Sequence, residues 1–165
     1  MVIFLIGFMG SGKSYTGKHL SAQLNIPFVD MDDAIEEQQG KSVSQIFEED
    51  GELVFRELEH QYLLDIDPDE SQIIATGGGA PCYHDNMELM NAIGTTIFID
   101  TPKEKIAERL AKGIHRRPLL TGMNAMDLEF FYDRKMEERR PIYEKANFQI
   151  QHQDLEVLSK LIKAL

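Results

Sequence analysis

The sequence contains a single cysteine, Cys82, which excludes an intramolecular disulfide. Proteins that keep their thiols reduced are typical of the cytoplasm, so we expect a cytoplasmic protein. We interpret Cys82 as a small semi-apolar residue in a loop rather than as a reactive thiol. The 165 residues are enough for one domain, 1–165, whose core needs no disulfide or structural metal.

Long apolar runs are also missing. No stretch approaches the ~20 apolar residues that cross a bilayer. The opening "MVIFLIGFM" has no basic residues before it and no small-residue cleavage site after it, so it predicts a buried strand rather than a secretion signal. We therefore expect no membrane partner.

Basic residues are scarce and unevenly distributed. The 17 Lys and Arg against 28 Asp and Glu give a net charge of −11, which disfavours binding to nucleic acid and to anionic membranes. Residues 1–102 hold 4 basic and 18 acidic residues, whereas residues 103–145 hold 11 basic and 8 acidic ones. This concentration of cations suits an enzyme with two anionic ligands, and a solvated helix face of mixed charge is the alternative.

Short apolar runs alternate with longer stretches of helical spacing. The predicted strands are 2–6, 27–30, 72–75, 95–99 and 147–150. The predicted helices are 13–24, 31–38, 52–65, 84–92, 102–112, 126–145 and 154–164. Strands that are apolar on both faces and separated by helices predict an α/β fold, with a parallel sheet covered on both sides. Ligands of such folds bind at the carboxyl ends of the strands.

The stretch "GFMGSGKS" at 7–14 matches the pattern G-x-x-x-x-G-K-[ST]. Its glycines let backbone N–H groups turn inward around phosphate oxygens, and the following helix directs its positive end at them. Lys13 is then placed to reach the terminal phosphates, and the Ser14 hydroxyl to ligate Mg²⁺. A buried strand before the motif and a helix after it favour a nucleotide-phosphate site over a chance glycine turn.

Two aspartates follow the second predicted strand. Asp30 and Asp32 alternate with apolar residues, so both carboxylates lie on one side if the strand continues. One carboxylate near Mg²⁺ can hold its water shell, and a second can orient or deprotonate an acceptor hydroxyl. The alternative is that Asp32 or Asp33 caps the helix that follows.

The predicted helix at 52–65 places Arg56 and Glu59 three residues apart. A surface ion pair at this spacing contributes only ~0.3–0.5 kcal/mol, and from the residues alone we favour that interpretation. The alternative is that Glu59 fixes Arg56, so that the guanidinium binds a carboxylate through two parallel hydrogen bonds.

Three consecutive glycines, Gly77, Gly78 and Gly79, follow the third predicted strand. Glycines add no packing and cost backbone entropy, so they favour a close approach of the backbone to a ligand. A plain flexible loop is the alternative.

Two later segments carry paired arginines. The glycine, basic and proline content of "KGIHRRPLLTGMN" at 112–124 predicts a mobile lid, on which Arg116 or Arg117 would stabilise charge in phosphoryl transfer. The stretch "MEERRPIYEKA" ends a long helix with Arg139 and Arg140, either of which would reach back into the cleft.

Six motifs in this order, at these separations, resemble the shikimate kinase family across essentially the whole chain. They are "GFMGSGKS", "FVDMD", "GELVFRELE", "ATGGGA", "RRPLL" and "ERRPIYEKA". The resemblance implies a three-layer α/β/α P-loop fold of the nucleoside-monophosphate-kinase type, with a five-stranded parallel sheet of order 2-3-1-4-5. It also implies ATP-dependent phosphorylation of the 3-hydroxyl of shikimate, on the route to chorismate and aromatic amino acids.

The resemblance implies roles on the nucleotide side. Lys13 would bind the β- and γ-phosphates, Ser14 would ligate Mg²⁺, and Asp30 would hold its water shell. Arg117, before Pro118, would be the lid arginine that touches both substrates and takes part in catalysis. The full set expected to bind ATP is Gly10, Ser11, Gly12, Lys13, Ser14, Tyr15 and Arg117. Adenine would stack on Arg109 or Lys112, and the sequence leaves that choice open.

On the acceptor side, the resemblance places the substrate in a region of about 30–60 and in the glycine loop. Asp32 would contact the acceptor hydroxyls and act as the general base. Arg56 and Arg139 would clamp the shikimate carboxylate, with Glu59 holding Arg56, and Gly77, Gly78 and Gly79 would lie against the ring. Of the arginine pair, Arg139 matches the family's spacing and Arg140 is expected to be exposed. We expect a monomer.

Three other functions compete with this interpretation. Gluconate kinase has a related phosphate loop, but it does not account for the aspartate, arginine and glycine motifs together. Adenylate kinase has a different threonine arrangement in its loop and a longer chain. A catalytically silent binding module is the competitor of another class, and the presence of every expected acting residue argues against it.

Overall fold

A computed structural model describes residues 1–113, 122–151 and 154–164. Within these ranges, five strands form one sheet: β1 (Val2–Ile6), β2 (Phe28–Asp30), β3 (Gln72–Ala75), β4 (Thr95–Asp100) and β5 (Phe148–Gln151). The strands lie in the order β2-β3-β1-β4-β5, and every neighbouring pair is parallel. This confirms the predicted sheet and its order.

The described helices cover both faces of the sheet. They are α1 (Lys13–Leu24), α2 (Met31–Gln39), α3 (Val43–Glu49), α4 (Glu52–Leu64), α5 (Asn86–Ile93), α6 (Lys103–Gly113), α7 (Ala125–Tyr143) and α8 (Leu155–Lys163), with a short 3₁₀ helix η1 (Ala80–Cys82). Among these helices, none is both long and apolar enough to span a membrane.

Helix α3 was not predicted, because its seven residues are too few to show helical periodicity. A capping box starts it. The Ser42 hydroxyl accepts from the Gln45 backbone N–H at 3.1 Å, and the Gln45 side chain accepts from the Ser42 N–H at 2.8 Å.

The central strand β1 divides the core into two layers. Its Val2, Phe4 and Ile6 side chains pack into one apolar cluster, and Ile3 and Leu5 pack into the other. Alternate side chains of a strand point to opposite faces of the sheet, so all five residues are buried. The opening segment is therefore a buried strand, as predicted.

The parallel arrangement brings the loops that follow β1, β2, β3 and β4 to one edge of the sheet. Side-chain and backbone bonds tie these loops together. Thr101, after β4, donates its hydroxyl to the Ser11 carbonyl at 2.8 Å, and Thr76, after β3, donates its N–H to the Leu5 carbonyl at 3.1 Å. The phosphate loop, the aspartates after β2 and the glycine loop after β3 thus meet at this edge.

Candidate active site

The loop between β1 and α1 closes around its own lysine. Gly7 and Gly12 have φ of +143° and +98°, and a Cβ at Gly7 would lie 2.8 Å from the Ile99 carbonyl oxygen. The Lys13 side chain is 8% exposed. Its ammonium donates to the carbonyls of Gly7 at 2.8 Å and Phe8 at 3.0 Å. The glycines therefore allow a tight turn whose carbonyls hold the cation inside the loop.

A cleft of about 530 Å³ opens beside this loop. Most of the residues predicted to bind nucleotide line it, namely Gly10, Gly12, Lys13, Ser14 and Tyr15. Of the other two, Ser11 has a fully buried side chain that does not line the cleft, and Arg117 lies outside the described residues.

Only one of the two residues proposed to stack on adenine lines the cleft. Arg109 lines the cleft and donates to the Gly10 carbonyl at 2.9 Å. Lys112 does not line it, and its ammonium pairs with Glu108 at 2.6 Å on the exposed face of α6. Arg109 is thus the member of the pair that adjoins the phosphate loop.

Strand β2 does not continue to Asp32, so the condition for placing both carboxylates on one side of a strand is not met. Strand β2 ends at Asp30, and Asp32 lies in the first turn of α2. The expected alternative, a cap at Asp32 or Asp33, is wrong, because the Asp30 carboxylate is the N-cap and accepts from the Asp32 N–H at 3.2 Å. The helix turn nevertheless leaves both Asp30 and Asp32 lining the cleft.

Asp30 forms a short bond across the cleft floor. Its Oδ2 accepts a hydrogen bond from the Ser14 hydroxyl at 2.5 Å. This bond joins the end of β2 to the first turn of α1. It places a hydroxyl and a carboxylate, two oxygen donors, beside the phosphate loop.

Asp32 lies in an environment that favours its protonated form. Burial, reinforced by the charge of Asp30, raises the pKa of Asp32 from 3.8 to about 6, although Lys13 and Arg56 oppose the shift. Its Oδ1 is buried and has no hydrogen-bond partner among the described residues. The group is therefore ionised at neutral pH yet far more basic than an ordinary aspartate, as general bases are.

A second, smaller cleft of about 210 Å³ adjoins the first. The two share a border made by Met9, Asp32, Gly77 and Gly78. The second cleft is lined by the residues predicted to bind the acceptor: Asp32, Arg56, Gly77, Gly78, Gly79 and Arg139, together with Glu59.

Arg56 and Glu59 form a buried pair rather than a surface one. They are 4% and 0% exposed, and Arg56 Nη1 donates to Glu59 Oε2 at 2.7 Å. Burial raises the pKa of Glu59 to about 7, against the opposing effect of Arg56. The interpretation as an exposed ion pair is thus wrong, and the alternative that Glu59 fixes Arg56 agrees with the geometry.

The arginine pair at the end of α7 divides between two environments. Arg139 is 4% exposed, and its buried Nη1 has no hydrogen-bond partner among the described residues. Arg140 instead donates two hydrogen bonds, of 2.8 and 3.0 Å, to the Asp100 carboxylate at the end of β4. An unpaired buried donor is costly unless an anion satisfies it, so Arg139 is the member of the pair suited to bind one.

The glycine loop after β3 packs directly on these charged groups. A Cβ at Gly77 would overlap the Glu59 carboxylate, and one at Gly79 would lie 2.6–2.7 Å from three guanidinium atoms of Arg56. The Gly78 carbonyl accepts from the buried Tyr143 hydroxyl at 2.5 Å. The glycines are therefore required by close approach to the protein's own side chains and backbone, and their predicted approach to a ligand stays a prediction.

Sequence reasoning missed Glu52 and Tyr83, which both contact Arg56. Glu52 lies four residues before Arg56 on α4, a helical spacing that would have revealed the pair. Tyr83 follows η1 and has no such signal in the sequence. The lid arginines Arg116 and Arg117 lie outside the described residues, as does most of the predicted lid.

Comparisons with known proteins show which family this chain resembles. The family model described as shikimate kinase matches residues 9–165. A shikimate kinase of Bacteroides fragilis is 45% identical over 146 residues, which cover 88% of this chain and 82% of that protein.

Solved structures show the same likeness. The crystal structure of shikimate kinase from Bacteroides thetaiotaomicron matches with a TM-score of 0.91 and 37% identity, covering 99% of this chain and 97% of that one. Shikimate kinase from Acinetobacter baumannii in complex with shikimate matches with a TM-score of 0.87 and 32% identity, over 98% and 90% of the two chains. These matches confirm the expected P-loop fold of the nucleoside-monophosphate-kinase type. The chain belongs to the shikimate kinase family.

Proposed function

We propose that this protein transfers the γ-phosphoryl group of ATP to the 3-hydroxyl of shikimate, giving shikimate 3-phosphate and ADP on the route to chorismate and aromatic amino acids. One observation carries the proposal. The phosphate-loop cleft and a second cleft with two buried arginines share a border at Asp32 and the glycine loop. A donor phosphate and an acceptor hydroxyl would therefore meet beside Asp32.

The second cleft suits an acceptor that carries a carboxylate. Arg56 and Arg139 are both almost fully buried, and Arg139 holds an unsatisfied donor. A planar guanidinium binds a carboxylate through parallel hydrogen bonds, and burial strengthens them. Arg56 and Arg139 would hold the shikimate carboxylate, with Gly77, Gly78 and Gly79 against the ring.

Asp32 would accept the proton of the acceptor hydroxyl. Its pKa of about 6 leaves it ionised at neutral pH, and its buried Oδ1 is available to a substrate hydroxyl. Lys13, at the centre of the phosphate loop, would move its ammonium from loop carbonyls to the β- and γ-phosphates. Phosphoryl transfer depends mainly on such positioning and on charge stabilisation.

The donor atoms beside the loop fit Mg²⁺. This cation prefers oxygen ligands, and it binds proteins through one or two such groups while substrate phosphates and water complete its shell. The Ser14 hydroxyl and the Asp30 carboxylate are 2.5 Å apart at this position. Ser14 would ligate the ion directly and Asp30 would hold its water shell. When bound, Mg²⁺ would neutralise charge on the transferred phosphates.

The remaining assignments concern the nucleotide and the molecule as a whole. Gly10, Gly12 and Tyr15 would bind ATP, with Ser11 contributing through the loop backbone, and Arg109 would lie against adenine. Arg117, on a lid of about 112–124, would touch both substrates. We further propose a cytoplasmic, monomeric enzyme with no nucleic-acid or membrane partner.

An assay of ADP release with shikimate, gluconate, AMP and water as acceptors tests the proposal. We expect turnover with shikimate and only background release with the others. Preference for gluconate or AMP would assign a different kinase, and release that is independent of any acceptor would indicate a simple ATPase. Absence of turnover, with both ligands bound, would indicate a binding module.

A further inference from the structure

Arg56 borders two cavities. One is the acceptor cleft, and the other is a surface groove of about 660 Å³ along the outside of α4, where Tyr83 and His84 also lie. A flexible arginine between two openings needs contacts on its groove side to keep its guanidinium turned toward the acceptor cleft. Glu59 alone engages only Nη1.

Tyr83 provides the contact on the groove side. Its ring centroid lies 4.4 Å from Arg56 Cζ, closer than the rings of Phe55 at 5.4 Å or Phe47 at 6.0 Å. At this distance a cation over an aromatic face is attracted by the ring. The ring therefore both covers the guanidinium and favours its charge.

The Tyr83 hydroxyl is linked to Arg56 by hydrogen bonds through the Glu52 carboxylate. It donates to Glu52 Oε1 at 3.0 Å. The same oxygen accepts from Arg56 Nη2 at 3.0 Å and from Nε at 3.3 Å. Tyr83 thereby fixes Glu52, whose side chain is 42% exposed, on one edge of the Arg56 guanidinium.

The backbone that carries Tyr83 is itself held in place. The Cys82 N–H donates to the Gly79 carbonyl at 2.8 Å, and the buried Asn86 side chain donates to the Ala80 carbonyl at 2.8 Å. Gly79, at the other end of this turn, packs against the same guanidinium. The segment from Gly79 to Tyr83 thus contacts Arg56 at both of its ends.

We propose that Tyr83 is a positioning residue for the acceptor: it holds the Arg56 guanidinium in the orientation that binds the substrate carboxylate. This inference rests on the proposed function, in which Arg56 binds that carboxylate. Tyr83 does not line the acceptor cleft and acts through Arg56. Its contribution should appear in the affinity for the acceptor and not in the affinity for ATP.

Steady-state kinetics and shikimate titration calorimetry of Tyr83→Leu and Tyr83→Phe test the proposal. Loss of a buried cation–ring contact predicts a roughly tenfold rise in the KM for shikimate in Tyr83→Leu, with the KM for ATP unchanged. Tyr83→Phe keeps the ring and should show less than about a threefold rise. Phe130→Leu, at an aromatic residue that is 72% exposed, is the matched control and should leave both constants unchanged.

A double-mutant cycle with Arg56→Ala tests whether Tyr83 affects shikimate affinity through Arg56. If Tyr83 acts through Arg56, adding Tyr83→Leu to Arg56→Ala produces no further loss of shikimate affinity. An unchanged KM for shikimate in Tyr83→Leu, a parallel rise for ATP, or an undiminished effect without Arg56 would overturn the proposal. Wild-type protein that neither binds nor phosphorylates shikimate would overturn the proposed function as well.

Discussion

A single methyl group added at Gly79 should disable the acceptor cleft while leaving the nucleotide cleft intact. The alanine Cβ would lie 2.6 Å from Nη1 and 2.7 Å from Cζ and Nη2 of Arg56. Non-bonded carbon atoms prefer about 3.5–4.0 Å, so the guanidinium must move by roughly 1 Å. Gly79 has φ −86° and ψ −22°, which alanine adopts without strain, so the perturbation acts through contact alone.

The size of the effect follows from the bonds that this movement disrupts. A hydrogen bond to a charged group contributes about 1.5–3 kcal/mol, and each 1.4 kcal/mol is tenfold in affinity. Gly79→Ala should therefore raise the KM for shikimate roughly 10- to 100-fold. The KM for ATP should stay within about twofold, because Gly79 does not line the nucleotide cleft. Overpacking should also lower the unfolding free energy by about 1–3 kcal/mol.

The assay is coupled ADP release with each substrate varied in turn, together with thermal unfolding. Gly40→Ala is the control, since a Cβ at Gly40 meets nothing within 4 Å. Its φ of +64° predicts some loss of stability with unchanged kinetic constants. A Gly79→Ala enzyme with the wild-type KM for shikimate would refute the reasoning from close packing.

Three further predictions concern the border between the clefts. Asp32→Asn should reduce kcat by about 10²–10⁴-fold with thermal stability retained, since it removes the proposed base; near-normal kcat would exclude that role. The wild-type kcat/KM for shikimate should fall as pH drops through the Asp32 pKa of about 6, because the base must be ionised, and a profile that is flat down to pH 5 would contradict this. Ser14→Ala should raise the Mg²⁺ concentration needed for half-maximal rate about tenfold or more. Shikimate affinity measured by calorimetry should not change. An unaltered Mg²⁺ requirement would show that Ser14 is not a ligand.

The sheet and the phosphate loop were predictable because their signals are local. A run of five apolar residues followed by a glycine-rich loop and a lysine specifies a buried strand, a tight turn and a helix start without help from distant residues. The structure confirms that strand at Val2–Ile6 and starts the helix at Lys13.

The sequence patterns did not decide the placement of Asp32 or the exposure of Arg56, because both features depend on contacts with residues distant in the sequence. Strand β2 ends at Asp30, whose carboxylate caps α2 and accepts a hydrogen bond from the Ser14 hydroxyl. Ser14 lies 16 positions earlier in the chain. Whether Arg56 is exposed depends on the covering loop at Gly79 and Tyr83, more than 20 residues away along the chain. Helical spacing alone gives the Arg56 and Glu59 pair but not its burial.

Which of Arg139 and Arg140 faces the cleft also depends on a contact with a residue distant in the sequence. Consecutive helix residues point about 100° apart, so only one can face the cleft, but the sequence does not say which. The Asp100 carboxylate at the end of β4 settles it by engaging Arg140. The family resemblance predicted that Arg139 faces the acceptor cleft. In the structure Arg139 lines that cleft, because Arg140 is bonded to Asp100 instead.

In the proposed reaction, the phosphoryl group passes from ATP to the 3-hydroxyl of shikimate where the two clefts meet at Asp32. Phosphorus NMR of the product mixture tests this most directly, because coupling to the ring proton identifies the phosphorylated carbon. We expect one phosphate monoester at the 3-position, formed in equal amount to ADP. Phosphorylation at another hydroxyl, or ADP accompanied only by inorganic phosphate, would contradict it.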